Sequence, residues 1–210
     1  QLFTEAYLPE VKDPQQLMTD LFEYHGISQS SYGQPDLGFL FTPEELYQLW
    51  QLNNFEWYYE QGPSPLSGGR MPWLARNLLR NIVETADTAL ASPRPSASLR
   101  FGHDTNLAPL VALMQMETFD RPTAVWDSIA EYYQTYRIIP MCGNVQLVFF
   151  RKPGSTDILV KPLLNEREVH LSNVSTDMWP YYHWTDLRRV WMRTVESIEL
   201  PAKPKGTKKD

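Results

Sequence analysis

The chain has 210 residues, 42% of them hydrophobic and 13% aromatic, which is enough to bury a core as one large domain or two small ones. No apolar run approaches the roughly 20 residues that a membrane span requires, so no membrane span is expected. A formal net charge of −6, with basic residues scattered except in one short tail, excludes a broad nucleic-acid-binding face, which would set clustered Lys and Arg against phosphates.

The first half reads as helical. Apolar spacing over residues 14–24 predicts a helix that Gly26 would stop as a C-terminal cap. The next helix is marked at its start by Thr42 as N-cap, Pro43 in the first position and Glu45 as capping-box partner. Leu46, Leu49, Trp50 and Phe55 follow, and the helix is expected to reach about Tyr59. Residues 62–69, rich in Gly, Pro and Ser, form a loop. A long helix is predicted from about Pro72, with Leu74, Leu78, Leu79, Ile82, Val83, Ala86 and Leu90 on one buried face. Ser92-Pro93-Arg94-Pro95 ends it.

The pattern then changes. Residues 97–101 read as a short strand that stops at Gly102 and leads into His103, Asp104, Thr105 and Asn106. Asn106 would cap a helix over residues 107–116, with Pro109 tolerated in its first turn. Residues 136–140 read as a further strand. Residues 145–150 and 158–164 flank the turn Lys152-Pro153-Gly154-Ser155-Thr156 and predict a β-hairpin. A final amphipathic helix over residues 185–198 would turn Leu187, Val190, Trp191 and Val195 inward. The tail from Pro201 to Asp210, with four lysines among Pro, Gly and Thr, is expected to be disordered.

Cys142 is the only cysteine, so neither an internal disulfide nor a paired-cysteine metal site is possible within the chain. The start at Gln1, without an initiator methionine or a signal-like segment, reads as a processed or truncated N-terminus.

His103 and Asp104 place an imidazole and a carboxyl where a strand gives way to a helix. Helix N-termini present free N–H groups and a partial positive charge, so the junction suits an anion. The same dipeptide can serve simply as a local cap. The longer string Leu99-Arg100-Phe101-Gly102-His103-Asp104-Thr105-Asn106-Leu107 resembles the second signature of the histidine acid phosphatases, the branch with phytases and multiple inositol polyphosphate phosphatases. Gly62-Pro63-Ser64-Pro65, Gly68-Gly69-Arg70-Met71-Pro72, Arg137-Ile138-Ile139-Pro140-Met141, Asn144-Val145-Gln146-Leu147-Val148-Phe149-Phe150-Arg151 and Leu163-Leu164-Asn165-Glu166 are similar to bacterial members, notably those of gut Bacteroides.

The resemblance implies an α/β fold: the C-terminal part of a mixed sheet flanked by helices, together with the remainder of a helical cap domain. The cap would occupy residues 1–95, the core 96–200 and the disordered tail 201–210. It implies hydrolysis of phosphomonoesters, inositol polyphosphates among them, without cofactor or metal, in a periplasmic or secreted setting. Carried across by position, Asp104 is the general acid that protonates the leaving alcohol and His103 binds phosphate. Thr105, Asn106 and Arg70 are candidate substrate contacts.

The family's Arg-His-Gly nucleophile motif occurs nowhere in the chain. Tyr24-His25-Gly26 is the nearest string, but it lacks both arginines and falls at a helix end. The nucleophile is therefore expected upstream of Gln1, and the isolated chain is expected to be inactive until a separate N-terminal half joins it. The alternative is a catalytically inactive remnant or binding module. Mutases of the superfamily resemble its other branch and lack this His-Asp context. His170 and His183 have no partner at metal-ligand spacing, Trp179, Tyr181, Tyr182 and Trp184 read as packing aromatics, and Asn173-Val174-Ser175 matches a glycosylation triplet.

Overall fold

The computed structural model describes residues 4–92 and 94–198; the lysine-rich tail expected to be disordered lies outside them. The residues fall into two compact units, one up to Phe55 and one from Glu56 onward.

In the first unit, α1 (Pro14–Ser28) starts where Asp13 accepts hydrogen bonds from the backbone N–H groups of Gln15 and Gln16, at 3.1 and 3.0 Å. Gly26 does not end it. A glycine costs a helix about 1 kcal/mol relative to alanine without breaking it. The chain stays helical to Ser28, whose buried hydroxyl donates to the His25 carbonyl at 2.9 Å. The expected capping box opens α2 (Pro43–Gln61): Glu45 Oε2 accepts from Thr42 N at 2.7 Å and from its hydroxyl at 2.8 Å, while Thr42 Oγ1 accepts from Glu45 N at 3.2 Å.

The second unit carries the candidate site. Its long helix begins later than the apolar spacing predicts, because residues 71–75 form a 3₁₀ turn and only then does α3 (Arg76–Leu90) start. The three-residue period of that turn puts Pro72 and Ala75 on one buried face and leaves Leu74 68% exposed. Helix α3 buries Leu79, Val83 and Ala86 and packs against α7 (Trp184–Ser197), which buries Trp184, Leu187, Trp191 and Val195. Polar ties hold the pair at both ends. Asp87 accepts from Trp184 Nε1 at 3.1 Å and from Arg188 Nε at 2.6 Å, and Arg76 Nε donates to the Val195 carbonyl at 2.6 Å.

The predicted hairpin is present as β1 (Val145–Arg151) and β2 (Ile158–Leu164), antiparallel with Val145 opposite Leu164 and Arg151 opposite Ile158. Between them Ser155 N donates to the Lys152 carbonyl at 3.0 Å, with Gly154 at φ 77° after Pro153. A left-handed third position after proline is the signature of a type II turn, and glycine meets it without strain. Strands β3 (Arg167–Glu168) and β4 (Tyr182–His183) pair with opposite ends of β2, so β2 is central and every pairing is antiparallel. Helix α7 packs on β2, and Trp184 meets Phe149 of β1 edge to face at 5.1 Å. Arg151 donates to the Leu90 carbonyl and so caps the C-terminal end of α3.

Three short helices complete the unit: α4 (Asp104–Leu113), α5 (Trp126–Tyr132) and α6 (Thr135–Ile138). The strand expected over residues 136–140 is therefore replaced by a helical turn, with Ile138 N and Ile139 N donating to the carbonyls of Gln134 and Thr135 at 3.3 and 2.8 Å. Among the described residues no strand pairs with this segment, and local bonds satisfy these groups instead. Residues 97–101 likewise join no sheet among the described residues. They run as an exposed arm into α4. Among the described residues no helix is long and apolar enough to cross a membrane.

Candidate active site

Helix α4 divides sharply along its length. Ala108 to Leu113 are all buried, and the helix packs on the 71–75 turn, on α3 and on α6. Its first turn is exposed: Asp104, Thr105 and Asn106 all face solvent, as does His103 before them. A helix anchored by a buried body thus holds out a polar tip.

His103 is the N-cap, with extended backbone at φ −103° and ψ 162°, and its carbonyl accepts from Asn106 N at 3.0 Å and Leu107 N at 3.2 Å. This corrects the sequence reading, in which Asn106 was to be the cap. Two consequences follow. The His103 side chain makes no cap hydrogen bond, so the imidazole is not spent on closing the helix. Pro109 is not in the first turn either; it lies inside the helix, and its missing N–H cannot bond the carbonyl of Thr105, four residues back. Asp104 occupies the first helical position, and its Oδ1 accepts from Thr105 N at 2.8 Å. The helix end supplies positive potential to an imidazole, a carboxyl and a hydroxyl on adjacent residues, an arrangement suited to holding an anion while exchanging a proton with it.

Two further segments approach α4. Arg70 caps the 71–75 turn that packs on it, but the guanidinium lies over the Trp73 ring at 5.3 Å, within its own turn. On another side a β-carbon at Gly143 would come within 3.2 Å of Leu107 Cδ2 and 3.0 Å of the Pro140 carbonyl, so any larger residue would crowd this approach to the first turn. A polar network fixes the chain there: Asn144 Nδ2 donates to Glu166 Oε1 at 2.7 Å, Asn144 N to Asn165 Oδ1 at 2.8 Å, and Asn165 Nδ2 to the Arg137 carbonyl at 2.8 Å. Asn144, Asn165 and Glu166 had been noted only as part of a resemblance. Nothing local in their sequence reveals that they meet, because the pairing depends on hairpin register.

The structure also assigns the other histidines. His25 Nδ1 lies 3.2 Å from Asp36 Oδ1, in the last turn of α1. His183 Nδ1 lies 3.0 Å from Asp157 Oδ1, and that hydrogen bond raises its pKa. His170 stacks on Trp179 with centroids 3.6 Å apart. Tyr182 and Trp184 are buried packing residues, and Tyr181 meets Phe150 edge to face at 5.3 Å. No group of three or more His, Cys, Asp or Glu side chains is placed to hold a metal among the described residues.

Comparison with known proteins agrees with this architecture. Residues 17–165 match the family model of the histidine phosphatase superfamily (branch 2), and the chain belongs to that superfamily. Among solved structures it is similar to the multiple inositol polyphosphate phosphatase of Bifidobacterium longum in complex with inositol hexasulfate, with a TM-score of 0.67 and 19% identity. The match covers 82% of this chain and 38% of that one, so the chain spans well under half the length of this relative. The likeness shows the fold, α/β with an antiparallel sheet flanked by helices. No curated protein matches the chain significantly.

Proposed function

We propose that this chain is the C-terminal part of a phosphomonoester hydrolase of the histidine acid phosphatase type, acting on phosphorylated small molecules with inositol polyphosphates as the leading class. The supporting observation is the exposed tip of α4, where His103 keeps its imidazole free of capping duty and Asp104 stands at the positive helix end. His103 binds the transferring phosphoryl group, and Asp104 gives its proton to the departing alcohol. Alkoxides are poor leaving groups, so a positioned acid accelerates such a step by about 10²–10⁴. N–H groups at the helix end and cationic side chains stabilise phosphoryl charge, which is the larger part of catalysis in such transfers. Thr105 and Asn106 extend the binding turn, and Arg70 reaches the substrate by leaving Trp73.

The attacking histidine comes from a separate N-terminal half, since no Arg-His-Gly string occurs in these residues. Residues 1–95 then belong to the helical cap and 96–200 to the core, and the family resemblance favours a periplasmic or secreted location. The same missing motif supports one other reading, an inactive remnant or binding module. The coding sequence immediately upstream separates them: an in-frame Arg-His-Gly-x-Arg-x-Pro supports the enzyme, and its absence supports the remnant.

The decisive experiment compares leaving groups in the active protein that contains this chain. Asp104→Asn removes the proton and keeps the size. Its kcat on inositol hexakisphosphate is expected to fall by about 10²–10⁴, and far less on p-nitrophenyl phosphate, whose phenolate leaves unaided. His103→Ala is expected to harm both substrates alike. Equal losses on the two substrates for Asp104→Asn would remove Asp104 from the role of general acid.

A further inference from the structure

We propose that Arg100 is a positioning residue for the His103-Asp104 pair, strapping an otherwise unattached arm to the outer face of α3. The proposal rests on the phosphatase reading only for what the arm is held in place to do.

The arm needs an explanation for its order. Among the described residues, 95–102 make no backbone hydrogen bond, and every residue from 94 to 106 is exposed. Such a stretch ordinarily keeps most of its backbone entropy, and a histidine at its end would wander with it. Arg100 Nη2 donates to Asn81 Oδ1 at 2.9 Å and to Thr85 Oγ1 at 2.8 Å, and Nε donates to Asn81 Oδ1 at 3.3 Å.

Asn81 and Thr85 stand one turn apart on α3, on the side away from the buried Leu79, Val83 and Ala86. Thr85 Oγ1 donates to the Asn81 carbonyl at 2.7 Å, which fixes the hydroxyl so that its lone pair meets the guanidinium. A planar fork can span both acceptors, whereas a lysine ammonium is a single point of contact. Helix α3 is itself a firm base, tied to α7 through Asp87 and Arg76.

Only Phe101 and Gly102 separate the strap from His103, a reach of roughly 10 Å at about 3.3 Å per residue. The histidine is thus held from both directions, by Arg100 upstream and by the buried body of α4 downstream. With Nε and Nη2 engaged by Asn81 and Thr85 of α3 and Nη1 directed to Ser98 Oγ at 3.4 Å, Arg100 acts through His103 rather than on the substrate.

Hydrogen exchange on the 210-residue chain tests the strap. The N–H groups of Asn106 and Leu107 are protected by the His103 carbonyl and report whether the cap holds. In Arg100→Ala, and separately in Asn81→Ala/Thr85→Ala, these two are expected to exchange about tenfold faster while β1, β2 and α7 and the melting temperature stay unchanged. Combining all three substitutions should add nothing, and Arg100→Lys should fall between wild type and Arg100→Ala. In the active protein containing this chain, Arg100→Ala should lower kcat by about tenfold and move KM by less than about twofold. Unchanged exchange at 106 and 107 would overturn the strap. Faster exchange throughout the chain would reduce Arg100 to a fold-holding residue, and unchanged kcat would remove its positioning role. The exchange result does not depend on any activity, so a failure of the strap is distinguishable from a failure of the phosphatase reading.

Discussion

Residues 145–164 and residues 97–101 make an informative contrast, because both have the sequence of β-strand and only one becomes it. The first pair of runs is joined by a Pro-Gly turn that folds each onto the other, so the two runs pair along their whole length within about twenty residues, and Val160, Pro162 and Leu164 turn toward the core. The arm at 97–101 has the same kind of residues and no neighbouring strand among the described residues. Its apolar side chains stay in solvent, Leu99 at 77% and Phe101 at 94% exposure. Strand propensity is therefore only half of a strand; pairing supplies the rest.

The contrast can be broken most directly by truncating a side chain on each side of it. Leu187, fully buried where α7 covers the unit that contains the hairpin, should cost about 2–5 kcal/mol when changed to alanine. Phe101→Ala should change stability by less than about 0.5 kcal/mol. Urea unfolding of the two variants gives both numbers, and a large loss for Phe101→Ala would mean that the arm is packed after all.

Helix ends provide a smaller and sharper comparison. Thr42 spends its side chain on its capping box, so Thr42→Ala should cost about 1 kcal/mol. His103 caps α4 with its backbone alone, so His103→Ala should leave the midpoint of unfolding nearly unchanged. A His103 variant as destabilised as the Thr42 variant would show that the imidazole serves the fold.

Association should follow from the unpaired arm. Apolar side chains beside free backbone N–H and C=O groups invite strand addition, so light scattering of the isolated chain should detect oligomers, and Phe101→Lys should reduce them. A clean monomer before substitution would show that the arm is not an adhesive edge.

The smallest effect is electrostatic. His183 on β4 bonds Asp157, the residue just before β2, and this hydrogen bond raises its folded-state pKa. A raised pKa contributes stability that is fully present below the unfolded value, about 6.5, and is lost as pH rises through the folded one. Melting temperature should therefore fall slightly from pH 6 toward pH 8, and Asp157→Asn should flatten that slope. Solvent screens the pair, so the change is expected to be modest.

What the sequence determined by itself is what depends on neighbours a few residues away. The Thr42–Glu45 box, the Pro153-Gly154 turn and the apolar faces of α3 and α7 each rest on interactions between residues close along the chain, and all were legible before any coordinates. So was the placing of His103 and Asp104 at a helix start, although the assignment of the cap to Asn106 missed by three residues. The tertiary structure decided what depends on distant partners: whether 97–101 and 135–139 find a strand to pair with, how Asn144 meets Glu166, and where Arg100 goes. Its guanidinium bonds Asn81, nineteen positions back, across a loop whose path no local rule dictates. Local geometry fixes bonds that close over one turn of backbone, whereas bonds between remote segments exist only once packing has brought them together.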